Sequence, residues 1–319
     1  MVDYFVNPVN ANYFADPFVW QVGKEYYAVG TGTESKNNSK PSKFTIMRSS
    51  DLVIWEKCGW ALTALDGDYY DYWAPEVAFS NGKYYLYYSV GKDHKAHQLR
   101  VAVSDNPAGP YVSIDRPLSH PDCTFAIDAH PFQDLDGKWY LFYCKDFLDS
   151  NETIRPGTAI VVDRLIDMVK LAGEERVVAR ATQDWQRFQS NRNMYGGIYD
   201  WHTLEGAAVL AHKSKYYCFY SGGCYQNDTY GVDYVVANSI MGPYKDDKPG
   251  QPRILRTVPG RVIGPGHNSF VIGPDGETIC IVYHAWDKQM TARRMCIDKL
   301  RWTPAGPVVD GPTWTPQKM

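Results

Sequence analysis

The chain has 319 residues, 44% of them hydrophobic, which is enough apolar surface for a full core. Its formal net charge of -3 argues against a nucleic-acid partner, whose phosphates reward a basic face. No stretch approaches the roughly 18 consecutive apolar residues of a membrane span, so no membrane partner is expected, and the N-terminal MVDYFVNPVN lacks the basic region and apolar run of a signal peptide. The seven cysteines (Cys58, Cys123, Cys144, Cys218, Cys224, Cys280 and Cys296) are scattered, form no CxxC pair and read as reduced thiols of a cytoplasmic protein. Aromatic residues make up 14% of the chain; they favour strands, and their flat faces also suit sugar rings.

In chain order, one phrase recurs five times. The first copy pairs an apolar strand, ADPFVW from Ala15, with the run KEYYAVGTG from Lys24, and FTIMRSSDLVIWE follows from Phe44. The second pairs APEVAF from Ala74 with GKYYLYYSVG from Gly82 and continues into LRVAVSDNPAGPY from Leu99. The third pairs DAHPF from Asp128 with GKWYLFYCKD from Gly137. Residues 182–192 then supply the best helical candidate, a short one that interrupts the longest spacing. The fourth copy pairs EGAAVL from Glu205 with SKYYCFYSGG from Ser214, followed by NSIMGPY, and the fifth pairs HNSFVI from His267 with ETICIVYHAWD from Glu277. The landmarks Tyr26, Tyr84, Trp139, Tyr216 and Ile279 are 58, 55, 77 and 63 residues apart.

Turns such as NGK, DGK and PDGE before these runs are hairpin grammar, because their residues tolerate positive φ. SSDLVIW, SDNPAGPY and NSIMGPY read as outer strands. About four strands in about 60 residues, repeated around a ring, predicts an all-β, five-bladed β-propeller forming a single domain over residues 1–319. A β-sandwich or a string of hairpin domains is the alternative.

A propeller gives the repeat a chemical meaning, since the first strand of every blade runs along the central axis. At the start of these strands stand Asp16, Glu76, Asp128, Glu205 and His267, which precede the landmarks by 10, 8, 11, 11 and 12 residues. Glu76 has the weakest phase, one step off the axis. Singly, each has a plain structural reading: Asp16 before Pro17 shapes a turn, Asp128 accepts backbone amides, and Glu205 is a solvated loop carboxylate. Gathered at one mouth, they meet desolvation and like-charge repulsion, a cost a chain bears more readily when the site works. Two carboxylates of separated pKa flanking a bond are what glycoside hydrolysis needs, and a third raises the pKa of the acid.

Together the phrases ADPF (Asp16), YWAPEV (Trp73 and Glu76), IDAHPF (Asp128), EGAAVL (Glu205), GPGHNSF (His267) and the closing YHAWD and RRMCIDKLRW resemble glycoside hydrolase family 43, in order along the whole chain. The resemblance implies a five-bladed propeller that hydrolyses arabinose- and xylose-containing glycosides with inversion. It implies Asp16 as general base, Glu205 as general acid and Asp128 as the group that tunes and orients Glu205. Inversion implies Asp16 and Glu205 carboxyls roughly 6.5–9.5 Å apart.

It also implies that His267 faces a calcium ion, Ca2+, and its waters at the axis; the other reading of His267 is a neutral imidazole bonded to buried backbone. The expected substrate-binding set is Trp73 as the sugar platform, Arg293 (with Arg294 as the alternative), His267 and Glu76. Arginine's fork suits paired hydroxyls, and in xylosidase-like members an arginine at the position of Arg293 reaches into the pocket. No EF-hand, HExxH or cysteine-based zinc spacing is present.

A closed pocket of this kind points to exo action on a small oligosaccharide, releasing terminal pentoses as a β-D-xylosidase with α-L-arabinofuranosidase activity. An endo-α-1,5-L-arabinanase and a non-catalytic carbohydrate-binding propeller are the alternatives. The retaining, sucrose-active propellers carry Asn-Asp-Pro-Asn and Arg-Asp-Pro phrases that are absent here. Many xylosidases of the family close the pocket with a C-terminal β-sandwich, and no such domain is expected in this chain. The remaining means of closure are an inserted loop, a partner subunit in a homo-oligomer, or nothing. Residues 34–43 (ESKNNSKPSK) and 191–202 (NRNMYGGIYDWH) are the candidate loops.

Overall fold

A computed structural model describes residues 4–33, 41–67, 69, 71–93 and 95–319. Among them, four-stranded antiparallel sheets make the first blade (Ala15–Val22, Glu25–Thr31, Ser42–Ser49, Glu56–Thr63), the second (Asp71–Ser80, Lys83–Lys92, Lys95–Ser104, Val112–Ser113) and the fifth (Ile263–Ile272, Ile279–Trp286, Arg293–Thr303, Gly306–Val309). The third blade is Ala126–Gln133, Trp139–Phe147 and Gly157–Asp167, edged by Arg176–Ala179; the fourth is Gly197–His212, Lys215–Gly222 and Gly231–Ala237. A short parallel pairing of Gly157 and Thr158 with His202 and Thr203 joins these two sheets. The NGK turn of the second blade is of the expected kind, with Asn81 and Gly82 both at positive φ (50° and 78°).

The ring is visible in the core. Among the described residues the buried apolar side chains fall into five clusters, each lying between two neighbouring blades, and one of them, around Phe14, Val19, Tyr26, Val271 and Val282, packs the fifth blade on the first. The chain ends reinforce that closure: Tyr4–Phe5 pairs with Gln317–Lys318, and the Asn7 amide takes and gives hydrogen bonds at Ile297, 2.8 Å each. This is the expected five-bladed β-propeller.

One detail repeats in all five inner strands. Between Ala15 and Phe18, Trp73 and Glu76, Ile127 and His130, Glu205 and Ala208, and Gly266 and Ser269, the register slips by one residue, a β-bulge. Within each bulge one residue is left-handed: Asp16 (φ 50°), Ala74 (45°), Asp128 (58°), Gly206 (59°) and His267 (51°). Such a conformation costs a non-glycine residue about 1–2 kcal/mol.

A side chain from the second strand of the preceding blade catches the freed amide. Ala74 N–H donates to Thr31 Oγ1 (2.9 Å), Asp128 N–H to Ser89 Oγ (3.0 Å), His267 N–H to Ser221 Oγ (2.7 Å) and Asp16 N–H to His284 Nδ1 (3.1 Å). Gly206 N–H lies beside the Cys144 thiol at the same register position and donates to Asp128 Oδ2 at 3.0 Å. Each blade thus latches the next by an otherwise unpaired buried amide.

Two local expectations change. Residues 182–192 form only a 3-10 turn, Asp184–Gln186, and then a strand, Arg187–Met194, because pairing with Gly197–His212 outweighs a weak local helical preference. The phrases read as outer strands are mainly the turns that lead into them: Asp51 Oδ1 accepts Val53 and Ile54 N–H at 2.9 Å, and Asn106 Oδ1 accepts Ala108 N–H at 2.9 Å. The insertion after Thr33 lies, over residues 34–40, outside the described residues.

Replacing a latch hydroxyl strands a buried amide, so Ser89→Ala and Ser221→Ala should each lose about 1–3 kcal/mol, read as a lowered melting temperature against wild type. An unchanged melting temperature in both would show that the latches do not hold the blades.

Candidate active site

A cavity of 620 Å³ opens at one end of the ring axis. The bulges decide which side chains reach it. The left-handed residues Asp16, Asp128 and His267 line it, and so do Trp73, Ile127 and Glu205, each one position earlier in its own bulge. Glu205 is therefore not in the phase of Asp16 and Asp128. The fourth blade has Gly206 in the left-handed slot, where an added Cβ would meet the His267 ring at 3.0 Å, so its carboxylate enters from the residue before. Glu76, two residues past the slot of its blade, does not line the cavity and so leaves the expected substrate-binding set. It is buried and bonded to His130 Nδ1 at 2.8 Å, while His130 Nε2 accepts Val209 N–H at 3.1 Å, which puts the imidazole proton on Nδ1.

Asp16 Oδ1 lies 3.1 Å from Arg293 Nη1 and 3.3 Å from the Nδ1 atoms of both His267 and His284. Burial alone would raise this carboxyl, but Arg293 first, then His267, hold it well below the usual carboxylate range. His284 is itself pushed down to about 4 by burial and by Arg293; its Nδ1 takes the Asp16 amide, so its contact with Oδ1 is not an ion pair. Arg293 also donates to Tyr13 Oη at 2.9 and 3.2 Å, whereas Arg294 turns to Asp287 at 3.0 Å. Of this neighbouring pair, Arg293 is the one that lines the cavity.

Asp128 and Glu205 behave oppositely to Asp16. Burial pushes Asp128 up to about 7, with the Glu205 and Asp16 charges adding, against His267 and the Gly206 amide. Glu205 is also pushed up by burial, against the Tyr230 hydroxyl, which donates to its Oε1 at 2.6 Å, and the His267 charge. The two titrate as a pair that retains a proton where Asp16 is fully ionised. His267 is raised: burial opposes its charge, but Asp16, Asp128, Glu205 and Glu76 outweigh it.

Trp73 forms one wall, stacked on His97 with ring centroids 3.7 Å apart. The segment expected as an adaptable rim is the hairpin Arg187–Met194 with the start of Gly197–His212: Arg192 and Met194 line the cavity, Tyr195 donates to Asp146 Oδ2 at 2.7 Å, and Trp201 and His202 are buried beneath. Calcium prefers oxygen donors, and among the described residues no three His, Cys, Asp or Glu side chains converge as metal ligands, with His267 Nδ1 turned to Asp16. The residues do not form a cage of direct ligands for calcium. Sequence reasoning missed Tyr230, Tyr13 and Arg192, which sit in segments without repeat phase. His284 had a signal, since it occupies the register slot of Thr31, Ser89, Cys144 and Ser221.

No helix among the described residues is long and apolar enough to cross a membrane. The sequence profile described as Glycosyl hydrolases family 43 matches residues 5–308. The chain is 29% identical to beta-D-galactofuranosidase xynD of Aspergillus niger over 95% of its own length and 84% of the relative's. It is 23% identical to an extracellular exo-alpha-(1->5)-L-arabinofuranosidase of Streptomyces avermitilis, over 97% of this chain and 65% of that one. Among solved structures, a thermostable family-43 glycoside hydrolase superposes with a TM-score of 0.82 at 32% identity, covering 98% of both chains. With the propeller, the three axial carboxylates and a family profile that spans nearly its whole length, the chain belongs to glycosyl hydrolases family 43 and is a glycosidase.

Proposed function

We propose that the chain is an inverting, exo-acting hydrolase that releases terminal pentoses, as a β-D-xylosidase with α-L-arabinofuranosidase activity. The observation that carries the reading is the opposed charge state of the cavity carboxylates: Asp16 is held ionised by Arg293 while the Asp128–Glu205 pair keeps a proton. In this reading Glu205 is the general acid. Tyr230 occupies its Oε1, so the transferable proton sits on Oε2 and passes to the glycosidic oxygen as the C1–O bond breaks.

Asp16 is the general base. Arg293 and the two imidazoles crowd Oδ1, which leaves Oδ2 to take the proton of the water attacking C1 from the opposite face. Asp128 acts through Glu205, by charge and by fixing the Gly206 amide next to it. Trp73 supplies the platform for the terminal sugar. Arg293 holds its hydroxyls from beside Asp16.

The relatives' names bear on the sugar. One is named a xylosidase/arabinosidase of Bacteroides ovatus, and the name beta-D-galactofuranosidase supports a second reading on a furanoside with the same ring configuration as α-L-arabinofuranose. An extracellular endo-alpha-(1->5)-L-arabinanase of Bacillus subtilis, 23% identical, keeps internal cleavage of arabinan as the competing mode.

A panel of nitrophenyl β-xyloside, α-arabinofuranoside and β-galactofuranoside, with xylo-oligosaccharides and arabinan, tests the reading. Release of single pentoses is expected, and oligomeric products from arabinan would overturn exo action. The same panel run with and without chelator tests for a water-held calcium beside His267. Asp16→Asn should lower kcat by at least about 10³-fold on every substrate, and Glu205→Gln by about 10²–10⁴-fold on poor leaving groups but less on nitrophenyl ones. Undiminished turnover of a xylo-oligosaccharide by Glu205→Gln would remove it as the acid.

The pH profile follows by sign. The acid is needed protonated, so kcat/KM falls as pH rises through the raised titration of the pair. The base is held below the usual carboxylate range, so activity stays level through mildly acidic pH. A profile that climbs steadily to alkaline pH contradicts the assignment. Tyr230→Phe removes a bond that favours ionised Glu205; the alkaline limb should move up, and kcat on poor leaving groups should drop by about 3- to 10-fold with KM little changed. An unmoved alkaline limb would separate Tyr230 from the acid.

A further inference from the structure

The cavity has a second polar wall that this mechanism leaves unused. Phe188, Arg192 and Met194 line it from the hairpin, and Asp146, Thr158 and Thr203 from the strands below. The Arg192 guanidinium lies over the rings of Phe188 (4.7 Å) and Trp201 (5.5 Å), and it has no hydrogen-bond or ion-pair partner among the described residues. Two aromatic rings hold it half-buried while its N–H groups stay unspent, whereas Arg293 gives three of its donors to Asp16 and Tyr13. Asp146 is oriented by the hydroxyls of Thr158 (2.8 Å on Oδ1) and Tyr195 (2.7 Å on Oδ2), so each oxygen keeps a lone pair.

The location of this wall gives it a side in the reaction. Asp146 and Thr158 belong to the third blade, the blade of Asp128, and Arg192 to the hairpin that runs into the fourth, the blade of Glu205; Asp16 comes from the first. In an inverting displacement the leaving group departs past the acid, away from the base. We infer that Arg192, Phe188 and Asp146 seat the sugar on the leaving side. The guanidinium fork donates to two adjacent hydroxyls, Asp146 accepts from a hydroxyl, and Phe188 lies against the C–H face of the ring. This rests on the hydrolase reading above and narrows its substrate to a glycoside whose leaving group is itself a sugar with a vicinal diol, rather than an alkyl or aryl alcohol.

The test compares two substrates that share the terminal sugar and differ in the leaving group: a nitrophenyl β-xyloside and xylobiose, or the corresponding arabinofuranosides if those are the better substrates. Arg192→Ala should lower kcat/KM on the disaccharide about 10- to 100-fold, chiefly through KM, and lower it on the nitrophenyl glycoside by a clearly smaller factor. Arg192→Lys, which keeps the charge but not the fork, should recover only part of the loss. Equal losses on both substrates, or no loss on either, would overturn the assignment, the first by making Arg192 a support of the hairpin. Failure of the wild type to cleave any member of either pair would instead overturn the terminal-pentose reading, and this inference with it.

Discussion

At the axis, each blade of this propeller meets the next through a backbone amide exposed by a bulge. The bulge supplies the left-handed residue, and the amide it frees is taken by Thr31, Ser89, Ser221 or His284 of the neighbouring blade, with Cys144 at the equivalent place in the third. The same irregularity aims the adjacent side chains into the mouth of the ring. Closure of the fold and assembly of the site are therefore one event. The functional groups are carried on strand ends whose backbone is pinned on both sides, which is the rigidity a catalytic constellation needs.

The tolerance of so many buried charges follows from how they are partnered. Asp16 is compensated by Arg293 and His267, and Asp128 and Glu205 share what remains by keeping a proton between them. His284 links the two functions. Its Nδ1 holds the Asp16 amide, and its ring lies parallel to that of Tyr230, 5.7 Å away at 6°, whose hydroxyl holds Glu205. Gly266 lets Tyr230 into this position, since an added Cβ would come within 2.2 Å of the tyrosine ring. Asp16 and Glu205 are thus braced through one pair of stacked rings, His284 and Tyr230.

Much of this was legible in the sequence, because the repeat carried both the fold and the axial positions. Turn phrases before Tyr84, Trp139 and Ile279 marked the hairpins, and the start of each inner strand named Asp16, Asp128 and His267. The bulge limited the reading. A one-residue register slip cannot be seen in a pattern of apolar alternation, so Glu205 and Glu76 were grouped with Asp16 although one lies before the left-handed slot and the other after it. That error was harmless for Glu205, which still faces the cavity, and decisive for Glu76, which turns to His130. Arg192 and Tyr230 were not singled out for a different reason: residues 191–202 were marked only as a candidate rim, and Tyr230 stands in the connection between the second and third strands of the fourth blade, outside the repeated phrases.

The most direct measurement is the anomeric configuration of the first sugar released, followed by proton NMR on a β-xyloside or α-arabinofuranoside before mutarotation sets in. A base and an acid facing each other across a bound water require the opposite anomer to appear first. First appearance of the anomer with the substrate's own configuration would mean that a carboxylate attacks the sugar directly, and that would contradict the roles of Asp16 as base and Glu205 as acid.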